Sequence, residues 1–154
     1  MRYAGIIYND FSAAPGVSLT FFTQGCAHHC AHCHNQETWD FDKGLEFTED
    51  IPDKIVEGLL SNGIKRTFCI MGGEPLHPKN IELTTSLVSY VKEKIEDVKI
   101  YLWTGFIYEN VEDLSVLKNI DVLIDGPYIH SLRDVTLPMR GSSNQRIIYL
   151  KNKK

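Results

Sequence analysis

Three cysteines fall within eight residues in the run Cys26-Ala-His-His-Cys30-Ala-His-Cys33-His34-Asn35, separated by three residues and then by two. Three thiolates on one short loop can hold one metal centre, and their softness selects iron–sulfur or zinc. A [4Fe-4S] cluster normally takes four cysteines, so a set of three leaves one iron open to another ligand. Zinc is the alternative: His28, His29, His32 or His34 could complete a tetrahedron with the three thiols and make a zinc-binding interaction module. Cys69 stands apart, between Phe68 and Ile70, where a free cysteine reads as core filling.

The surrounding elements must present that loop. Residues 2–8 and 17–23 read as strands joined by a turn-rich segment. The second strand carries Val17, Leu19, Phe21 and Phe22, as a strand covered on both faces would. It runs directly into Gln24-Gly25-Cys26. Residues 35–45 lack periodicity and read as loop. Thr48 is the expected N-cap of a helix with Pro52 in its first turn and Ile51, Ile55, Val56, Leu59 and Leu60 along it, ending at Asn62-Gly63. A strand over 66–71 leads into Gly72-Gly73-Glu74-Pro75. Asn80 then caps an amphipathic helix that runs to Ile95. The same grammar repeats with a strand over 98–104, a short helix over 108–117 and a strand over 120–125. An irregular segment over 130–144 precedes a last strand over 146–150.

Strands alternating with helices indicate a parallel α/β fold, and right-handed crossovers place successive strand ends on one rim. A full eight-stranded barrel takes about 250 residues. The 154 residues here therefore predict an incomplete, open (β/α) barrel of mainly parallel strands, as a single domain over 1–154. Its rim would carry Gly25-Cys26, Gly72-Gly73-Glu74, Thr104-Gly105 and Asp125-Gly126. Each glycine is explained by a tight turn, or by close approach of backbone to a ligand. Glu74 is either a helix-start carboxylate favoured by the macrodipole or an acceptor for a ligand ammonium.

Bulk composition narrows the classes. A net charge of −4 lacks the basic balance of a nucleic-acid binder. The Lys151-Asn152-Lys153-Lys154 tail reads as a solvated terminus. No apolar run is long enough to span a membrane, and Met1-Arg2-Tyr3 opens no signal peptide. A cytoplasmic location follows, where clustered cysteines signal metal binding or catalysis more than disulfides.

Cys26-x3-Cys30-x2-Cys33 resembles the cluster loop of radical S-adenosylmethionine enzymes, and Gly72-Gly73-Glu74-Pro75 resembles their Gly-Gly-Glu-Pro motif. Trp103-Thr104-Gly105, Leu123-Ile124-Asp125-Gly126-Pro127 and Arg140-Gly141-Ser142-Ser143-Asn144-Gln145-Arg146 narrow this. They resemble the activating proteins of anaerobic ribonucleoside-triphosphate reductases, over nearly the whole chain. The resemblance implies that Cys26, Cys30 and Cys33 ligate a [4Fe-4S] cluster and that Gly72, Gly73 and Glu74 grip the amino end of S-adenosylmethionine. It places His32, where the superfamily usually has an aromatic, on the adenine, with His34, Thr104 and Asp125 as further cofactor contacts. A monovalent cation near Asp125 is left open.

The implied reaction is reductive cleavage of S-adenosylmethionine. The 5′-deoxyadenosyl radical then removes a hydrogen atom from a glycine Cα in a C-terminal loop of the reductase large subunit. Flavodoxin or ferredoxin is the implied electron donor, because the chain has no second cysteine cluster. The alternative within the superfamily is an activase of another glycyl radical enzyme, such as pyruvate formate-lyase. Residues 140–146 are expected on the rim, near the cofactor or the entering glycine loop.

Overall fold

The computed structural model describes residues 1–150, so the lysine-rich tail lies outside the described residues. Strands β1 (Arg2–Asp10) and β2 (Ser18–Thr23) pair antiparallel, and the short β3 (Leu45–Glu46) lies on the outer edge of β1. Strands β4 (Thr67–Gly72), β5 (Ile100–Trp103) and β6 (Val122–Asp125) extend the sheet from β2 in parallel. Strand β7 (Arg146–Tyr149) closes the far edge antiparallel to β6. The order across the seven-stranded sheet is β3-β1-β2-β4-β5-β6-β7.

Helices α1 (Ile51–Leu60) and α2 (Ile81–Lys94) fill the first two parallel crossovers. The single helix expected over 108–117 is instead a short α3 (Tyr108–Val111) and a 3-10 turn (Ser115–Asn119). Leu114 between them is extended, with φ −69° and ψ 128°, and packs against the core. Asn110, Asp113 and Ser115 are weak helix formers, so propensity does not oppose the break. Among the described residues no helix is long and apolar enough to cross a membrane.

Side chains alternate between the two faces along β2, β4 and β5, and the faces differ. Leu19 and Phe21 of β2, Phe68 and Ile70 of β4, and Ile100 and Leu102 of β5 are wholly buried in one cluster with the inner stripes of α1 and α2. Burying each such side chain contributes roughly 1.5–3 kcal/mol. The opposite face carries Cys69, Met71, Tyr101 and Trp103 in a smaller cluster with Ala13, Ala14 and Met139. Cover on both sides of β2 was the expectation, and every residue of the strand is buried except the half-buried Phe22. The second face is the more polar one: there the buried Thr20 donates to the Asp10 carboxylate at 2.7 Å.

Asp10 closes the turn between β1 and β2, also accepting from the Ser12 backbone N–H at 2.9 Å and the Ser12 hydroxyl at 2.8 Å. Burial alone would raise its pKa, but the Thr20 and Ser12 donors outweigh it and hold Asp10 below the ordinary carboxylate value. A depressed folded pKa contributes stability above the unfolded pKa, and that stability is lost as pH falls through the folded value. Asp10→Asn is expected to lower stability at neutral pH by about 1–3 kcal/mol, read as a urea midpoint. The difference from wild type should shrink as pH falls below 3.8, the ordinary carboxyl value.

The expected cap of α1 is also revised. Asp50 takes the N-cap position, and the Thr48 hydroxyl bonds the Asp50 carboxylate. Pro52 sits in the first turn, where its missing N–H costs nothing.

Candidate functional site

The cysteine loop leaves β2 through Gln24 and Gly25. Gly25 has φ +105°, and a Cβ there would stand 2.0 Å from the Phe41 ring, so only glycine fits. Its N–H donates to Thr38 O at 2.6 Å, and the Cys26 N–H donates to Trp39 O at 3.1 Å. The Gln24 side chain adds bonds to Glu37 O at 3.1 Å and Asp40 O at 2.7 Å. The stretch expected as plain loop thus contains a 3-10 turn (Gln36–Thr38) and clamps the mouth of the cysteine loop. Trp39 stacks on His29 with centroids 4.5 Å apart.

His29 at φ +48° and His32 at φ +61° reverse the chain between the cysteines. Non-glycine residues in that region are sparse and collect at functional sites. All three cysteines line one pocket of about 180 Å³. They are unbridged, and Cys33 Sγ accepts the Asn35 N–H at 3.4 Å. Burial pushes the Cys26 thiol pKa up, partly offset by the His28 and His29 backbone N–H groups. Among the described residues no three His, Cys, Asp or Glu side chains converge as a site for a single ion. A cubane cluster does not require that convergence, since each thiolate binds a different iron. Cys69 is fully buried, with its thiol pKa pushed up to about 12, chiefly by burial, and is no part of this pocket.

Strand β4 delivers the second half of the site. A Cβ on Gly73 would lie 2.4 Å from Gly25 O, so the two loops meet backbone against backbone. Gly73 N donates to Thr23 O at 3.0 Å and Glu74 N to Gly25 O at 2.8 Å. Asn80 occupies the N-cap position of α2 as expected, but its side chain makes no capping bond. Its Nδ2 instead donates to Gly25 O at 3.1 Å and Glu74 O at 2.9 Å, riveting the cysteine loop to the glycine motif.

Glu74 is 0% exposed, so it is not the solvated helix-start carboxylate. Its Oε1 accepts from His28 Nε2 at 2.7 Å and from the Gly105 N–H at 2.7 Å. Its Oε2 accepts from the Leu76 N–H at 2.9 Å and the Thr104 hydroxyl at 2.8 Å. One carboxylate therefore joins the ends of β4 and β5 to the cysteine loop. Gly72, Gly73, Glu74 and Thr104 share the pocket wall with the cysteines. His28, weighed from sequence only as a zinc ligand, is the residue that sequence reasoning missed.

Three candidates are not on that wall. The His32 ring lies 4.1 Å from the His130 ring, and His34 lies 5.8 Å from Tyr128 in an adjoining groove. Asp125 is buried and takes three donors: Arg146 Nε at 3.1 Å, Arg146 Nη2 at 2.5 Å and the Tyr108 N–H at 2.7 Å. Arg146 also reaches Glu109 at 2.7 Å, and these two carboxylates raise its pKa. The structure thus pairs Asp125 with a side-chain cation. Residues 140–146 do reach the rim. Gln145 lines the pocket, donates to Gly126 O at 3.0 Å and accepts from Gly141 N and Ser142 N, while Arg140 Nη1 donates to Gln145 O at 3.1 Å.

Residues 13–148 match a family described as a 4Fe-4S single cluster domain. The chain is 40% identical over 150 residues to the anaerobic ribonucleoside-triphosphate reductase-activating protein of Vibrio cholerae, covering 96% of this chain and 97% of that one. It is 38% identical over 147 residues to the protein of that name from Enterobacteria phage T4, covering 96% and 93%. With the one from Escherichia coli K12 the identity is 36% over 154 residues, covering 98% and 100%. With similarity running from end to end and a 4Fe-4S single cluster domain over residues 13–148, the chain belongs to the family of anaerobic ribonucleoside-triphosphate reductase-activating proteins.

Proposed function

We propose that this protein is a radical S-adenosylmethionine activase that generates a glycyl radical on an anaerobic ribonucleoside-triphosphate reductase. The observation that carries the reading is the convergence of Cys26, Cys30 and Cys33 with Gly73 and Glu74 on one pocket. The donor set fits the group: three unbridged thiols on a loop fixed at its mouth, beside a backbone cradle that any Cβ at Gly73 would fill. The open sheet, with helices packed on one face and the pocket at the C-terminal strand ends, is read as an incomplete (β/α) barrel.

When bound, the [4Fe-4S] cluster supplies the single low-potential electron for reductive cleavage of S-adenosylmethionine. The chain's own residues do the positioning. Cys26, Cys30 and Cys33 hold the cluster as thiolates, so loading releases their protons. The Asn35 N–H on Cys33 Sγ stabilises negative charge on that sulfur. Glu74 is the acceptor for the ligand ammonium, and the Gly72-Gly73 backbone flanks it. Trp39, Trp103 and Tyr128 add aromatic wall to the same pocket. Cys69 is the one cysteine outside the loop and makes no second cluster, so the electron is assigned to an outside donor, a flavodoxin or ferredoxin.

The test is anaerobic reconstitution followed by reduction with dithionite in the presence of S-adenosylmethionine. About four irons and four sulfides per chain, with release of methionine and 5′-deoxyadenosine, are expected. A reconstituted protein that leaves S-adenosylmethionine intact contradicts the proposal.

A further inference from the structure

We infer that His28 is a positioning residue that occupies the ammonium place on Glu74 in the ligand-free protein and is displaced when S-adenosylmethionine binds. This rests on the function proposed above and extends it to a residue with no assigned role. The argument begins with acceptor capacity. A carboxylate offers about four lone-pair positions, and Glu74 already has four donors: His28 and Gly105 on Oε1, Leu76 and Thr104 on Oε2. An incoming ammonium must therefore replace one of them.

Three of the four donors cannot leave cheaply. Gly105 and Leu76 donate backbone N–H groups, and the buried Thr104 hydroxyl also accepts the Phe106 N–H at 3.1 Å. The His28 ring is different. It lies on the pocket wall with 20% of its side chain exposed, against 1% for Glu74, and turning about its own side-chain bonds releases it. The ring is nonetheless held in a definite place. It packs edge-on against Phe106 with centroids 4.6 Å apart, and a Cβ on Gly105 would lie 2.6 Å from it. Glycine at 105 thus leaves room for an imidazole over the β5 end.

The arrangement keeps a buried carboxylate partnered when no ligand is present, and an orphaned Oε1 position would be costly. It also makes binding selective. A ligand with an amino group replaces the bond it breaks, whereas one without an amino group gains nothing from moving His28. The ring is therefore a competitor for one ligand group, and removing its donor should tighten binding of that ligand class alone.

Anaerobic equilibrium binding to cluster-loaded protein tests this with two probes, S-adenosylmethionine and 5′-methylthioadenosine, which lacks the ammonium. His28→Ala and His28→Leu both remove the donor, and leucine still fills the space. Each should tighten S-adenosylmethionine by roughly tenfold and leave methylthioadenosine unchanged. His28→Gln keeps a donor and should stay near wild type. Unchanged or weaker S-adenosylmethionine binding in the Ala and Leu variants overturns the inference, as does equal tightening of both probes in the Ala variant. Wild-type protein that holds its cluster but binds no S-adenosylmethionine overturns the proposed function itself, and the inference with it.

Discussion

Replacement of Cys26, Cys30 or Cys33 by alanine is expected to abolish S-adenosylmethionine cleavage and strip most of the iron, while Cys69→Ser keeps both. The three loop thiols share one pocket wall, and losing one leaves two ligands for the cluster. Neighbouring side chains offer little rescue: Glu74 is saturated, His29 is stacked on Trp39 and His32 packs at a tilt against His130. Cys69 is buried on β4 with a thiol far from ionising at neutral pH. Its replacement puts a hydroxyl in that place, at a cost of about 1–3 kcal/mol in stability. Iron analysis and product chromatography on the four variants decide the matter. Loss of iron from the Cys69 variant alone would reverse the ligand assignment.

Glu74→Gln is expected to weaken S-adenosylmethionine binding by roughly tenfold to a hundredfold, as a charge-assisted bond becomes a neutral one. A second effect follows from the four donors around the carboxylate. An amide offers one oxygen, and its NH2 would face donors where the second carboxylate oxygen now accepts. Stability should therefore fall as well, by about 1–3 kcal/mol. Binding isotherms, iron content and urea midpoints measured together separate the two effects. A destabilised variant with an unchanged isotherm would leave Glu74 as a structural hub without a role in ligand binding.

Much of the site is legible in the sequence because it is local. Strand-to-loop boundaries at Gly25 and Gly72 coincide with the loss of apolar alternation, and the cysteine spacing is a feature of a single loop. The parallel register sets Thr23 beside Gly72, so two motifs nearly 50 residues apart in sequence meet at one rim. The bonds that make the site are not local. His28 reaches Glu74 across 46 residues, Asn80 reaches Gly25 across 55, and Arg146 reaches Asp125 across 21. No spacing rule distinguishes such an Asn from an ordinary cap, or tells that such an Asp is paired with an arginine. The difference in character between the two covered faces was equally hidden. Both helices pack against Leu19 and Phe21, while the face of Thr20 is closed by the Asp10 carboxylate.

The interval between the cysteines shows the same limit from another side. His29 and His32 take left-handed backbone conformations that glycine adopts far more readily, so residue type gave little hint of the turns. Their rings are held by Trp39 and His130, from segments that read as irregular. Tertiary contacts supply what local propensity does not.

The most direct test of the central claim is electron paramagnetic resonance on an anaerobic mixture of this protein, the reductase large subunit, S-adenosylmethionine and reduced flavodoxin. The account predicts a glycyl radical doublet that grows with time and depends on each component. It also predicts that alanine at Cys26, Cys30 or Cys33 removes the signal, and that alanine at the partner's C-terminal loop glycine does so too. A mixture that cleaves S-adenosylmethionine and yet forms no protein radical, or a radical that persists without this protein, would contradict it.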